Sequence, residues 1–170
     1  MADTSALYQE VILDHNRRPR NYGPLADATI EERGINPLCG DELTLWLRMD
    51  GDRIADASFL GSGCAISRAS ASMMTGLVKG KTRAEADALI ERFREMATGQ
   101  GATDDLPAAL RAFAGVARLP QRVRCAVLAW HTLHSALEGD SEPGGPGASG
   151  SERGEPGARG SDARARGARK

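Results

Sequence analysis

The stretch Glu42-Leu43-Thr44-Leu45-Trp46-Leu47-Arg48-Met49-Asp50-Gly51 decides the fold. Leu43, Leu45 and Leu47 alternate with Thr44, Trp46 and Arg48, the period of a strand with one apolar face. Asp50-Gly51 signals a tight turn, so Arg53 to Leu60 should return as an antiparallel partner. Upstream, Ala28 to Arg33 reads as a further strand. Downstream the apolar spacing becomes helical. Ile66 to Lys79 forms one helix, stopped by Gly80, and Thr82 with Glu85 makes a capping box ahead of Leu89, Phe93 and Met96. A further helix runs from about Leu106 to Arg118 with Leu110, Phe113 and Ala117. The last is entered at Pro120 and buries Val123, Val127, Trp130 and Leu137 before Gly139. At the N-terminal end, Asp3 or Thr4 caps a helix carrying Leu7, Tyr8, Val11 and Ile12, which stops before Pro19. His15 to Gly23 is then a basic, turn-rich connector whose arginines either dock a partner or lie solvated over the core. Strands grouped before helices predict an α+β fold, a three-stranded antiparallel sheet packed against helices.

The chain has 170 residues and 41% apolar content, enough for one sizeable core and hardly two. Residues 1–138 are expected to form the single domain. From Gly139 to Lys170 the sequence turns to Gly, Pro, Ser, Ala, Glu and Arg, with no aromatic and no aliphatic larger than alanine. Such a segment cannot offset its ordering entropy, so 139–170 is expected to be a disordered tail. The charge is balanced, with 22 Lys and Arg against 23 Asp and Glu. No whole-molecule field therefore recruits nucleic acid or an anionic membrane, and no nucleic-acid or membrane partner is expected. No apolar run approaches the roughly 20 residues that span a bilayer. Met1 to Ala6 has neither the basic nor the apolar region of an export signal. The three cysteines match no disulfide framework, so a reducing cytoplasm is the expected compartment.

Those cysteines carry the chemistry. Cys39 lies in Asn36-Pro37-Leu38-Cys39-Gly40-Asp41, Cys64 in Gly61-Ser62-Gly63-Cys64, and Cys125 in Pro120-Gln121-Arg122-Val123-Arg124-Cys125. In the antiparallel hairpin the entry of one strand and the exit of the next share an end of the sheet, which brings Cys39 and Cys64 together. A helix starting at that end can supply Cys125, and Asp41 can point to the same place. Three thiolates and a carboxylate suit zinc, and the carboxylate is unusual for a purely structural site. Helix N-termini at Cys64 and Cys125, with Arg122 and Arg124 nearby, would favour anionic sulfur. The bland alternative is three small, inert core cysteines. His131, His134 and His15 are weaker ligand candidates. Met73 and Met74 read as core, and Gly61-Ser62-Gly63 lacks the lysine of a phosphate loop.

The three cysteine motifs, in this order, resemble those of iron–sulfur cluster assembly proteins of the IscU/SufU type, and Tyr8 through Gly23 is also similar. The likeness runs from about Leu7 to Leu137. IscU-type scaffolds carry histidine where this chain has Arg124, and the interval from Cys64 to Cys125 is longer here, around Gly99 to Pro120, as in SufU. The resemblance therefore points to the SufU branch. It implies zinc held by Cys39, Asp41, Cys64 and Cys125, and a SufS-type cysteine desulfurase as partner, whose persulfide is made with pyridoxal phosphate. It implies that a desulfurase histidine takes a zinc position and frees Cys39 as sulfur acceptor. Arg124 would either support the sulfur anion or be a solvent-facing helix arginine, and a SufBCD-type assembly complex would lie downstream. On this reading the chain is a zinc-dependent sulfurtransferase. The alternatives are a scaffold that builds a [2Fe-2S] cluster on the same cysteines, and a zinc-stabilised interaction domain without sulfur chemistry.

Overall fold

In the computed structural model, which describes residues 4–140, the sheet has the order β1 (Ile30–Asn36), β2 (Asp41–Asp50), β3 (Arg53–Ser62), antiparallel throughout. The β2–β3 hairpin closes with Asp50 opposite Arg53. Gly51 takes φ 58° as the first residue of the two-residue turn, the conformation that requires glycine there. Leu43, Leu45 and Leu47 are buried with Ala57 and Phe59 opposite, while Thr44, Trp46 and Arg48 lie on the more open face. A bulge between Arg48 and Met49 shifts the register, so that Ile54 and Ala57, three residues apart, are both buried.

The helices are α1 (Thr4–Arg17), α2 (Ala65–Val78), α3 (Arg83–Ala97) and α4 (Pro120–Asp140). α2 packs on β3, α4 on β1 and β2, and the two helices pack on each other. Where β1 meets α4, Gly34 has no room for a side chain: a Cβ there would fall 2.0 Å from Thr132 Oγ1. Between α2 and α4, the Ser70 hydroxyl donates to the Ala126 carbonyl at 2.6 Å and accepts the Trp130 indole N–H at 3.0 Å. Phe93 stacks on Trp130, with ring centroids 4.5 Å apart, and Phe113 meets Phe93 edge-on. Met73 and Met74 are core residues, as expected.

The α+β class, the hairpin, the Thr82/Glu85 capping box and the entry of α4 at Pro120 agree with the sequence reading. Two boundaries do not. β1 starts at Ile30 and continues to Asn36, because β2 offers partners as far as Asp41. The segment before α4 is a 3-10 helix, Leu110–Arg118, rather than an α-helix from Leu106. Side chains of residues 4–8, and so the Leu7 and Tyr8 positions, lie outside the described residues. So does the expected tail beyond Asp140.

Candidate metal centre

The turn between β1 and β2 presents the first sulfur. Asn36 begins it: its Oδ1 accepts the Leu38 N–H at 3.2 Å and its carbonyl accepts the Gly40 N–H at 2.9 Å. This is the local bonding that makes Asn-Pro a turn starter. Gly40 follows at φ 72°, and the chain re-enters the sheet at Asp41 opposite Asn36. Cys39 is left exposed at the tip, whereas Asp41, as the first residue of β2, is buried with 2% exposure.

The second sulfur comes from the open end of the β2–β3 hairpin, where β3 leaves the sheet beside the start of β2. Cys64 caps α2, its sulfur accepting the Ser67 N–H at 3.5 Å. Its own N–H donates to Asp41 Oδ1 at 3.0 Å. This approach depends on Gly63, since a Cβ there would stand 2.5 Å from Asp41 Oδ1. Next to this loop, Tyr22 packs edge-on against Phe59, and its hydroxyl donates to the Gly61 carbonyl at 3.2 Å. The Arg68 guanidinium lies over the Tyr22 ring, 5.5 Å from its centre. The third sulfur, Cys125, is buried on the first turns of α4, near the Gln121 carbonyl at 3.7 Å.

These elements converge. Cys39 Sγ is 3.0 Å from Asp41 Oδ2 and 3.5 Å from Cys125 Sγ. Cys39, Asp41 and Cys125 offer ligand atoms that all lie within 4.8 Å of one another. Cys64 Sγ is 3.9 Å from Asp41 Oδ2 but stands outside that group, so it forms the loose corner. For comparison, two sulfurs sharing a tetrahedral zinc at about 2.3 Å stand about 3.8 Å apart. The donor set fits zinc on a second ground. Asp41 is a buried carboxylate that no basic side chain pairs among the described residues, an arrangement that a bound cation completes.

Burial pushes the Asp41 carboxyl up, but hydrogen bonds from Cys39, Cys125 and the Cys64 N–H outweigh it and hold it below the ordinary value. Cys125 goes the other way. Burial first, then the neighbouring Asp41 and the other two sulfurs, raise its thiol far above the usual range. The expectation that Arg122, Arg124 and the helix N-terminus keep Cys125 anionic is thus corrected for the metal-free chain: both arginines are exposed, while the sulfur is buried against a carboxylate. Arg124 instead lines an open pocket of about 480 Å³ beside Cys39, together with Asn36, Leu38, Pro120 and Gln121.

Of the lesser candidates, His15 bonds the Ser72 hydroxyl at 2.8 Å and His134 faces Asp87 and Glu138, while His131 is exposed. None of them belongs to the cysteine group. In the basic connector, Arg20 pairs with Asp14. Asn36 and Gly63 stand inside the cysteine motifs, but their roles here, and the Tyr22–Arg68 pair, were not read from the sequence. Only the Asn36-Pro37 turn signal could have found one of them.

A family profile described as the NifU-like N-terminal domain matches residues 7–139. The chain belongs to that family. One relative within it, named the zinc-dependent sulfurtransferase SufU of Bacillus subtilis, is 40% identical over 137 residues, covering 80% of this chain and 92% of the relative. Another, named the iron–sulfur cluster assembly scaffold protein IscU of Streptococcus pyogenes, is 45% identical over 134 residues, 78% of this chain and 83% of its own. A crystal structure from Fervidobacterium islandicum, described as an iron–sulfur cluster assembly scaffold protein for the SUF system, superposes with a TM-score of 0.73 at 36% identity. It covers 79% of this chain and 99% of that one. The family's fold is therefore the one seen here. No helix among the described residues is long and apolar enough to cross a membrane.

Proposed function

We propose that the chain is a zinc-dependent sulfur acceptor for iron–sulfur cluster assembly, taking persulfide sulfur from a SufS-type cysteine desulfurase at Cys39. One observation carries this: of the clustered groups, Asp41 and Cys125 are buried and Cys39 is exposed, beside an open pocket. A site meant only to hold a metal would have no need to keep one sulfur accessible to a partner. The fit of the donor set and the SufU relative support zinc as the metal, held by Cys39, Asp41, Cys64 and Cys125. When bound, zinc keeps the thiols deprotonated without redox chemistry of its own.

The chain's own residues do the rest. The Cys39 thiolate attacks the outer sulfur of the desulfurase persulfide, the bond between the persulfide's two sulfurs breaks, and the desulfurase thiolate leaves. Cys39 then carries the persulfide. Asp41 and the Cys64 N–H fix the floor beneath it, and Arg124 at the pocket rim stabilises the sulfur anion. A SufBCD-type complex is the downstream receiver. The thiols require a reducing compartment, the cytoplasm.

A second reading, a [2Fe-2S] scaffold on the same residues, is favoured by the IscU relative at 45% identity. Arg124, standing where that branch has histidine, weighs against it. The experiment is to count zinc and iron in purified protein, then measure sulfide release by a cysteine desulfurase with wild type and Cys39→Ala. The transfer reading expects about one zinc per chain, with desulfurase stimulation abolished in the variant. A stable coloured cluster, with no effect of Cys39→Ala on the desulfurase, would refute it.

A further inference from the structure

The sulfur that transfer leaves on Cys39 has a second thiol at its back. Cys39 and Cys125 sulfurs are 3.5 Å apart, and a disulfide bond is about 2.0 Å, so closure takes about 1.5 Å of movement. Cys39 can make that movement, because it sits on the exposed Pro37–Gly40 turn while Cys125 is anchored in α4. Cys64 is placed differently: its sulfur caps α2 and stands outside the close group. The open pocket beside Cys39, with Arg124 on its wall, leaves an exit for a small anion.

We infer that the metal-free chain has a further activity, reductive discharge of the Cys39 persulfide by Cys125, which releases hydrogen sulfide and leaves a Cys39–Cys125 disulfide. The inference rests on the reading of Cys39 as sulfur acceptor. The Cys125 thiol gives up its proton, which ends on the outer sulfur, as its sulfur attacks Cys39 Sγ, the inner sulfur of the persulfide. The bond between the two cysteine sulfurs forms, and the bond from Cys39 Sγ to the outer sulfur breaks. The electron pair leaves with the outer sulfur, which also receives the Cys125 proton and departs as hydrogen sulfide. The outer sulfur is reduced by two electrons and the two cysteines are oxidised to the disulfide, so a single discharge needs no external reductant. Restoring the dithiol requires a reductant of the dithiol class. In the metal-loaded chain Cys125 is a ligand and is not available to attack. Discharge therefore belongs to chains that have lost their metal, and occupancy decides whether sulfur is passed on intact or lost as sulfide.

The test uses the full chain, stripped of metal with a chelator, loaded anaerobically with cysteine persulfide and desalted without thiols. Intact mass, released sulfide and the cross-link map are then followed. The expected result is a Cys39 persulfide, about 32 Da heavier, that decays to a species about 2 Da lighter than the dithiol with about one sulfide released per chain. The new cross-link should join Cys39 to Cys125. Cys125→Ala should hold the persulfide on Cys39 and slow sulfide release at least tenfold. The wild-type cross-link map decides the matter even where the variant folds poorly. A wild-type persulfide that persists, a Cys39–Cys64 cross-link, or wild-type release from a folded Cys125→Ala would each overturn the inference while leaving Cys39 as acceptor. Absence of any persulfide on Cys39, in wild type and variant alike, would overturn both readings together.

Discussion

Gly63→Ala is the sharpest test of how the site is built. The added Cβ would sit 2.5 Å from Asp41 Oδ1 and 2.9 Å from its Cγ. Ordinary contact between such atoms begins near 3.5 Å, so the carboxylate must retreat by about 1 Å. Asp41 Oδ1 now accepts the Cys64 N–H at 3.0 Å, and a retreat of that size takes it past hydrogen-bonding range. Gly63 has no positive φ, so alanine suffers no backbone strain and the steric push is the whole perturbation. A hydrogen bond to a charged group contributes about 1.5–3 kcal/mol. The same displacement moves one proposed zinc ligand, Asp41, and frees the backbone that holds another, Cys64. Zinc affinity is therefore expected to fall about 10- to 100-fold, the range seen when a ligand's supporting contact is lost. The assay is competition for zinc against a chromophoric chelator, with far-ultraviolet circular dichroism to verify folding. Gly76→Ala is the control, since a Cβ there meets nothing within 4 Å; it should leave zinc affinity alone and stabilise α2 by roughly 1 kcal/mol. Wild-type zinc affinity in a folded Gly63→Ala would refute the account of Asp41 and Cys64 as parts of one site.

Ser70→Ala leaves the Trp130 indole N–H and the Ala126 carbonyl without their partner and should cost about 1–3 kcal/mol in urea unfolding. An unchanged midpoint would contradict the bridge between α2 and α4. Gly34→Ala forces a Cβ into Thr132 Oγ1 and should cost about 1–3 kcal/mol through overpacking, with Thr132→Ala in the same chain recovering most of the loss; a merely additive double variant would be evidence against direct contact. His15 has its pKa lowered, by burial first and then by Arg20, against the opposing pull of Asp14. The folded state thus binds fewer protons than the unfolded one in the window below about 6.5. The stability His15 contributes is full above that pH and is lost as pH falls through its folded value. His15→Gln should flatten this part of the acid limb in urea titrations, and an NMR titration placing His15 at or above its ordinary value would reverse the sign.

The fold was legible because its decisive features are local. The Leu43-Leu45-Leu47 alternation and the Gly51 turn determine which face is buried and how β2 pairs with β3. Thr82 with Glu85, and Pro120 at the start of α4, mark helix ends through bonds made within a few residues. The misreadings came where tertiary partners decide. β1 is lengthened by the pairing β2 offers it. Leu110–Arg118 buries the same Leu110 and Phe113 that its apolar spacing picks out, yet adopts the tighter helix, and periodicity cannot separate two helices of similar pitch over so short a run.

The site shows the same division. That Cys39, Asp41 and Cys64 lie at one end of the sheet follows from hairpin topology, whereas Cys125 joins them because α4 starts at that end. What topology cannot supply is rank among equals. The three cysteine motifs differ in sequence, but only the structure shows the exposure of each sulfur: one exposed on a turn, one serving as a helix cap, one buried on a helix with its thiol pushed up. Sulfur transfer needs such an inequality, because an acceptor must be reachable while the other ligands stay in place. Asp41 enforces it. As a buried carboxylate bonded to a backbone N–H it cannot turn toward solvent, so a force that opens the site acts on the exposed turn at Cys39.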